Sequence, residues 1–188
     1  MNIFDPETRV AILAQMVKAA PRQGLGRTQI MKFFYFLQEL KGVPLGYDFR
    51  IFNFGPFDSE VLSDLSSACG HDTVVEETVL YSRGYGYKIT PGANADKASQ
   101  SFENSNAEIV RKIEEVIKEF GVYSASELEL LSTILFVDSE FSQSGFCVTH
   151  SELTTRVQQI KPHFTEVMIL GRVNEMNKKG WLGSLSDS

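Results

Sequence analysis

Residues 73–89 read TVVEETVLYSRGYGYKI, and this stretch decides the predicted fold of the N-terminal half. Two runs in it, Thr73–Tyr81 and Tyr85–Ile89, are rich in the β-branched and aromatic residues that favour strands. The short connection Ser82–Gly84 offers a glycine for the positive φ angle that tight hairpin turns require. The sequence therefore predicts an antiparallel β-hairpin.

Three predicted helices and one predicted strand precede this hairpin. Apolar residues recur at helical spacing in residues 6–20, in a segment capped by Thr28 and in a segment capped by Asp58. Residues 47–54 alternate between apolar and polar for eight positions, which is typical of a half-buried strand. This order of elements predicts an α+β fold in which residues 1–90 form a winged helix, with the hairpin as its wing.

The remainder of the chain is predicted to be helical after a polar connection. Residues 91–106 are almost wholly small and polar, and we expect a linker or exposed loop there. Residues 107–182 carry apolar side chains at helical spacing and predict an α-helical domain, in which Ser126 and Glu129 form a capping box. Residues 183–188 are left as a tail.

The helical domain is expected to end in a helix-turn-helix pair. Thr149 and Glu152 have the spacing of a capping box at the start of the first helix, and Thr165 can cap the second. Between the helices, Lys161–Phe164 supplies the turn. This pair closes the second predicted domain, residues 107–182.

Composition limits the classes of protein that this sequence can represent. Of the 188 residues, 43% are hydrophobic and 22% are charged, which is typical of a globular chain. The longest apolar runs fall short of the roughly 18 to 20 residues that a membrane span needs, and the first residues do not resemble a signal peptide. With only two cysteines, the chain is expected to be cytoplasmic, with free thiols and no membrane partner.

Five stretches carry a resemblance to a known group of proteins. They are Lys32–Leu40, Gly46–Phe57, Glu127–Ile134, Ile160–Thr165 and Gly180–Leu182. In these stretches the chain resembles the YwgA-like prokaryotic winged-helix proteins, which are similar to the antitoxin domain called Panacea or SocA-like. The resemblance implies a winged-helix regulator or antitoxin that binds a partner protein. Its motifs are packing motifs, so it implies no catalytic residue.

Two cysteines and two histidines are the only candidate metal ligands of note. Cys69 and His71, together with Cys147 and His150, could complete a tetrahedral zinc shell. However, Cys-x-His is an unusual ligand spacing and a long segment separates the pairs. We therefore favour two buried cysteines and two surface histidines, and we expect the protein to use no metal or other cofactor.

The sequence contains no recognisable catalytic constellation. It lacks a phosphate-binding loop, a dinucleotide-binding fingerprint and a nucleophile elbow. His163 is interpreted as a polar turn residue, since no matched nucleophile lies near it in sequence. Glu127 and Glu129 are interpreted as residues on the wet face of a helix that contribute to solubility. We therefore expect no enzymatic activity.

The predicted wing suggests DNA binding, but the balance of charged residues disfavours it. Residues 1–90 carry 9 Lys or Arg and 10 Asp or Glu, whereas DNA-binding domains usually have a basic excess. The third predicted helix is expected to expose Glu60 and Asp64 and no cation. The binding candidates are therefore cations and an aromatic residue of the predicted strands and hairpin, namely Arg50, Arg83, Tyr85 and Lys88.

Protein binding is the remaining class and the one that the sequence favours. Aromatic residues follow one another in Phe33–Phe36, so they point around more of a helix than one buried face requires. Tyr35 is the residue of this run that we expect to reach a partner, since aromatic anchors are enriched at interfaces. Contact between the two halves of this same chain would explain the run equally well. The predicted function is a non-catalytic regulatory or antitoxin-like module with a protein partner. The alternative is a DNA-binding transcriptional regulator.

Overall fold

The protein is described by a computed structural model, in which residues 3–21, 23–81 and 84–186 are placed. Over these ranges the fold is mixed α/β and mostly helical, with eight helices and two small two-stranded sheets. The helices are α1 (Pro6–Ala19), α2 (Arg27–Glu39), α3 (Ser59–Gly70), α4 (Ala95–Ser105), α5 (Ala107–Phe120), α6 (Ala125–Gln143), α7 (His150–Ile160) and α8 (Glu166–Lys178). The strands are β1 (Arg50–Phe52), β2 (Gly55–Phe57), β3 (Val74–Tyr81) and β4 (Gly84–Pro91).

The chain divides into two compact units whose boundaries differ from the predicted ones. Unit one comprises the chain up to Arg50 together with Phe57–Ala125, and unit two comprises Ile51–Pro56 together with Ser126–Ser188. The predicted boundary at residues 91–106 therefore does not separate the units. Helix α5, predicted as the start of the second domain, belongs to the first unit.

Local hydrogen bonds to capping residues mark the starts of α1 and α2. Asp5 caps α1 by accepting a hydrogen bond from the backbone N–H of Thr8 at 2.8 Å, as predicted. Thr28 was wrongly predicted as the cap of α2. Gly26 is the capping residue, and its N–H donates to the side chain of Gln29 at 2.9 Å.

Helix α2 lies in the core of unit one, and its aromatic run is buried on every side. Phe33, Phe34, Tyr35 and Phe36 are each at most 1% exposed. Phe36 stacks on Phe120 of α5 with ring centroids 3.9 Å apart. A helix that is apolar around most of its circumference is buried on most of its circumference, so this run builds the core.

The predicted eight-residue strand over residues 47–54 was too long. Only β1 lies within it, and β2 follows after a turn at Asn53 and Phe54. At Tyr47 the backbone bonds to a side chain instead of a strand: its N–H and its C=O each join the Gln38 amide at 3.0 Å. An amide side chain that satisfies both backbone groups removes the need for a strand partner there.

The predicted hairpin is confirmed. β3 and β4 pair antiparallel, with Val74 opposite Pro91 and Val75 opposite Thr90. A single antiparallel bridge also joins Leu25, just before α2, to Ile89 of β4. The hairpin is therefore attached to the core of unit one along β4.

Residues 91–106 were predicted as a linker or exposed loop, and this prediction was wrong. Ala95–Ser105 forms α4, which packs against α1 and buries Phe102 and Ser99. Gln15 donates to the Ser99 carbonyl at 3.0 Å, and Lys18 donates to the Ser99 hydroxyl at 2.8 Å. One aromatic residue and these polar contacts are sufficient to dock a helix whose composition is otherwise typical of a loop.

Unit two is a helical arrangement whose caps were only partly predicted. Thr149 and Glu152 form the predicted capping box of α7, and Thr165 caps α8. The predicted box of Ser126 and Glu129 is wrong, because α6 begins at Ala125 and Glu129 lies buried inside it. Helices α7 and α8 pack together as the predicted pair. Within the described ranges, no single helix is long and apolar enough to cross a membrane.

Residues 183–186, predicted as the start of a tail, are docked on unit two. Ser184 is 1% exposed, and Leu185 forms a parallel bridge with Val148. Backbone and side-chain hydrogen bonds to α6 hold this segment in place.

Candidate interaction sites

The hairpin residues proposed for binding have unequal environments. Tyr85 is exposed, and its ring meets Tyr87 edge-on with centroids 6.1 Å apart. Lys88 is half-buried on β4, across the strand pair from Glu77. Arg83, the residue expected at the tip of the wing, lies outside the described residues. Tyr85 is thus the most accessible described candidate in the hairpin.

Arginines near the hairpin are already engaged in carboxylate pairs. Arg27 donates to both carboxylate oxygens of Glu76, at 2.7 Å from Nε, and its guanidinium lies 3.5 Å from the centre of the Tyr87 ring. The hydrogen bond to Glu76 is the main cause that raises the pKa of Arg27. Arg50 is exposed but pairs with Asp48 at 2.8 Å, and this hydrogen bond raises its pKa. These contacts reduce the positive charge available to a phosphate backbone.

Asp64 was predicted to face outward from α3, and this prediction was wrong. Its carboxylate is 5% exposed and accepts hydrogen bonds from Arg9 Nε and from the Tyr47 hydroxyl, both at 2.7 Å. Glu60 lies 3.1 Å from the same guanidinium but is more than half exposed. We call Arg9, Asp64, Tyr47 and Glu60 the arginine cluster.

Burial and the contact with Asp64 together set the pKa values of Tyr47 and Arg9. Burial raises the pKa of Tyr47 far above its usual value, and the hydrogen bond to Asp64 adds to the shift. Burial by itself would lower the pKa of Arg9, but the hydrogen bond and charge of Asp64 outweigh it and raise the pKa. Tyr47 is therefore a neutral hydrogen-bond donor, and the cluster is a structural tie between α1, α3 and the segment before β1.

The exposed face of α3 lacks cations. It consists of small polar side chains and one carboxylate, namely Ser59, Glu60, Ser63, Ser66 and Ser67. A recognition helix needs basic groups near it to hold register on the phosphates, and this face supplies none.

Tyr35 was predicted to reach a partner, and this prediction was wrong. Its side chain is 1% exposed and meets Phe49 edge-on, with ring centroids 5.1 Å apart. Aromatic pairs in this geometry stabilise a core beyond the area that they bury. Tyr35 is therefore a core residue of unit one.

The four weak metal candidates do not form a metal site. Cys69 is half-buried, and burial raises the pKa of its thiol, while Cys147 is exposed, so the prediction of two buried cysteines was wrong. The Nδ1–H of His71 donates to the Ser67 carbonyl at 2.9 Å, and the Nε2 of His150 lies 3.3 Å from the Asn177 amide. Across the part of the chain that the structure describes, no three His, Cys, Asp or Glu side chains are arranged to hold a metal ion.

Glu129 was assigned to solubility, and this assignment was wrong. Its side chain is 8% exposed, and Oε1 lies 2.9 Å from Nζ of Lys161, which is itself only 4% exposed. No well-directed hydrogen bond reaches Oε1 from the described residues, so the attraction is chiefly coulombic. His163, interpreted as a turn residue, places Nε2 3.5 Å from the same oxygen. Glu127, the other residue so assigned, pairs with Arg172 at 2.7 Å.

Lys161 also holds the turn between β1 and β2. Its ammonium donates to the carbonyl of Phe52 at 3.0 Å and to the carbonyl of Asn53. We call Lys161, Glu129 and these two carbonyls the lysine cluster. Two N–H groups of the ammonium therefore bind backbone carbonyls, while its charge lies beside the Glu129 carboxylate.

Gly55 allows the turn between β1 and β2 to pack closely against α6. Its φ angle is +84°, and a Cβ atom added there would lie 3.1 Å from the hydroxyls of Ser132 and Thr133. Glycine is therefore required for both the backbone angle and the contact.

Exposed apolar side chains adjoin the connection between α7 and α8. Phe52 and Phe54 lie on the turn held by Lys161 and are 62% and 69% exposed. Val167 and Met168, in the first turn of α8, are 81% and 52% exposed. We call these four residues the α7–α8 surface. The sequence analysis did not predict this surface. Its only signal is apolar residues beside a helix cap, and that pattern also fits a buried hydrophobic contact.

The comparisons with known proteins add no identification. No model of a known protein family matches the chain, and no curated protein matches it.

Proposed function

We propose that this chain is a non-catalytic module that binds a protein partner, with the α7–α8 surface as its binding site. The observation that carries the proposal is the exposure of two phenylalanines, a valine and a methionine around one connection. Single exposed apolar residues are common, but a group of large ones marks interaction sites. The regulatory or antitoxin-like role follows from the resemblance to the YwgA-like and Panacea proteins.

The phenylalanines lie on a fixed turn, which suits them to binding. Lys161 holds the carbonyls of Phe52 and Asn53, and Gly55 packs closely on α6. A side chain presented on a fixed backbone loses less conformational entropy when it is buried by a partner. Aromatic anchors of this kind carry a large share of binding energy in many interfaces.

The test replaces exposed apolar groups with carboxylates. Val167→Asp and Phe54→Asp, made singly, are expected to weaken partner capture at least about tenfold, the effect of losing roughly 1.4 kcal/mol. The partner is recovered by pull-down from the native host and identified by mass spectrometry, and a thermal melt monitors the fold.

Val122→Asp is the matched control. Val122 is also 81% exposed, but it belongs to unit one and lies outside the α7–α8 surface. This control should capture the partner as well as the unmodified chain does. Equal losses in all three variants, or no loss in any, would overturn the assignment of the surface.

A DNA-binding winged helix is the second candidate, and one observation favours it. Apart from β1 and β2, which lie between α2 and α3, the order of α1, the bridge at Leu25, α2, α3, β3 and β4 is the order expected of a winged helix, with the Leu25 segment in the place of the short first strand. Tyr85 is exposed on the hairpin that would be the wing.

Charge makes this candidate the weaker one. The exposed face of α3 carries Glu60 and no cation, while Arg27 and Arg50 pair with carboxylates. We expect the affinity for random duplex DNA to be weak, with a dissociation constant on the order of 10⁻⁴ M or worse at physiological salt. A gel-shift titration checks this value. Tight binding that falls steeply with salt, and that Lys88→Ala or Arg83→Ala weakens without changing the melting temperature, would favour DNA instead.

A further inference from the structure

We propose that the exposed face of α8 is a dimer interface, on which α8 of a second copy of this chain packs antiparallel. The face consists of residues at helical spacing, namely Val167, Leu170, Gly171, Asn174 and Lys178, and we call it the α8 stripe. The inference rests on the proposed function in one respect, because Val167 also belongs to the α7–α8 surface. The other four residues of the stripe lie outside that surface.

The α8 stripe begins with exposed apolar side chains. Val167 is 81% exposed and Leu170 is 37% exposed, and Met168 beside them is 52% exposed. The opposite side of the helix packs within unit two, where its fully buried apolar residues are Ile169, Val173 and Met176. Helix α8 is therefore apolar on two sides, of which unit two covers one. An exposed apolar helix face of this kind marks an interaction site.

Gly171 lies at the centre of the α8 stripe and leaves space above the helix. It is exposed, and among the described residues a Cβ atom added there would meet nothing within 4 Å outside its own helix backbone. Glycine inside a helix is destabilising relative to alanine, and the packing of this chain gives no steric reason for it. A second helix supplies a reason, because the side chains at a helix contact set how closely the two backbones approach.

Charge selects the orientation of the second helix. Glu166 in the first turn and Lys178 in the last turn are both exposed, and neither forms an ion pair with another of the described residues. These signs are the ones that the helix dipole favours at each end. Two parallel α8 helices would therefore place like charges side by side. Two antiparallel helices place each glutamate beside the lysine of the other copy.

One antiparallel register satisfies the whole α8 stripe. When Gly171 faces Asn174 of the second copy, Val167 lies level with Lys178 of that copy, and the two-fold axis repeats both contacts. The asparagine side chain then occupies the space above the glycine. The lysine stem covers the valine while its ammonium reaches Glu166, one residue away. Because the stripe is complementary to itself, a second copy of the chain fits it better than an unrelated helix does.

Sedimentation velocity on the purified full chain tests for the dimer. A contact between one pair of helices lies at the small end of specific interfaces, so the protein is sampled from about 1 μM to about 1 mM. The unmodified chain should change from monomer to dimer over this range. Gly171→Leu fills the space between the helices and should weaken the dimer at least about tenfold. It should remain folded, since the new side chain enters open space.

Gly70→Leu is the matched control. Gly70 is also an exposed helical glycine with nothing within 4 Å of an added Cβ atom among the described residues. It lies in α3 of unit one, away from the α8 stripe. This control should associate as the unmodified chain does, and thermal melts of both variants monitor the fold.

Charge substitutions test the antiparallel orientation. Glu166→Lys places two lysines together at each end of the helix pair and should weaken the dimer at least about tenfold. Adding Lys178→Glu to the same chain reverses both charges and should restore association. In a parallel pair the doubly substituted chain would still place like charges together, so recovery is specific to the antiparallel arrangement.

Three results would overturn the dimer. They are an unmodified chain that stays monomeric throughout the range, equal association of the Gly171→Leu and Gly70→Leu chains, and no recovery in the doubly substituted chain. A monomeric chain whose partner capture still depends on Val167 and Phe54 would refute the dimer and keep the proposed function. A dimeric chain whose partner capture is unaffected by Val167→Asp and Phe54→Asp would do the reverse.

Discussion

Arg9 in unit one and Lys161 in unit two are both buried cations, and they are used differently. Arg9 reaches the Asp64 carboxylate through two N–H groups, with Nε at 2.7 Å and Nη2 at 3.3 Å from its oxygens, and Nη2 also lies 3.1 Å from the exposed Glu60. Lys161 contacts one carboxylate and two backbone carbonyls. The guanidinium thus pairs with carboxylates, whereas the ammonium is shared between a carboxylate and the backbone of a turn.

This difference shows why the two residue types are not interchangeable here. The guanidinium is a rigid planar fork that matches a carboxylate. The ammonium is a compact charge with three rotatable donors, so it can hold a turn of backbone that offers no carboxylate of its own. Arg9 thus ties helix to helix, and Lys161 ties a turn to a helix.

The largest effect is expected at the arginine cluster. Asp64→Ala leaves the guanidinium of Arg9 and the hydroxyl of Tyr47 buried without their shared acceptor, and should lower the free energy of unfolding by about 3 to 5 kcal/mol. Urea denaturation measures the change. Glu60→Ala removes an exposed carboxylate from the same arginine, and should cost less than about 1 kcal/mol. Equal costs for the two variants would contradict the account of this cluster.

The lysine cluster should respond almost as strongly. Lys161→Met leaves Glu129 buried with His163 as the one basic side chain beside it among the described residues, and should lower the free energy of unfolding by about 3 kcal/mol. Adding Glu129→Gln removes the stranded charge and should recover part of that loss. A double-mutant cycle measured in urea checks the coupling. If the two costs simply add, Glu129 and Lys161 do not form a pair in solution.

A smaller effect is expected where Gly55 approaches α6. Gly55→Ala forces an alanine to a φ angle of +84° and brings its Cβ against two hydroxyls, which should cost about 2 to 3 kcal/mol. Gly145→Ala has a similar angle, +73°, but no atom within 4 Å of the new Cβ, so it should cost only about 1 to 2 kcal/mol. Thermal melts of both variants are compared, and the difference between their losses of stability measures the steric cost at Gly55. A larger loss at Gly145 would contradict this steric explanation.

The smallest effect concerns acid. The hydrogen bond from the Thr149 backbone holds the pKa of Glu152 below its usual 4.5. A carboxylate with a lowered pKa stabilises the folded state above its unfolded value, and this contribution disappears as the pH falls through the folded value. Glu152→Gln should therefore melt slightly below the unmodified chain at pH 7. The difference should shrink as the pH falls below 4.5 and vanish below the lowered pKa of Glu152 in the folded chain, and a difference that grows on acidification would have the wrong sign.

Local patterns in the sequence predicted the elements better than the clusters. The hairpin, the Asp5 cap and the capping box of Thr149 and Glu152 depend on neighbours within a few residues, and they were found. Arg9 and Asp64 are 55 residues apart in sequence. Nothing in the sequence around Arg9 or Asp64 distinguishes these residues from charged residues on solvent-exposed helix faces.

One signal for the buried carboxylates was present but was not used. The middle of helix α6 is buried on all sides, since residues 128–138 are buried apart from the half-buried Phe136. A helix segment of that type buries its polar residues too, so Glu129 and Asp138 needed partners, whereas Glu127 and Glu140 near the helix ends did not. The identity of those partners, Lys161 and the C-terminal segment, depends on tertiary contacts.

The interleaving of the two units limits how the gene can be divided. Ile51–Pro56 belongs to unit two but is encoded within unit one, so no single cut yields both units complete. A fragment that starts at Ser126 would leave the ammonium of Lys161 without the carbonyls of Phe52 and Asn53. Expression of the second half by itself would therefore require the turn peptide to be supplied in trans or grafted onto its N-terminus.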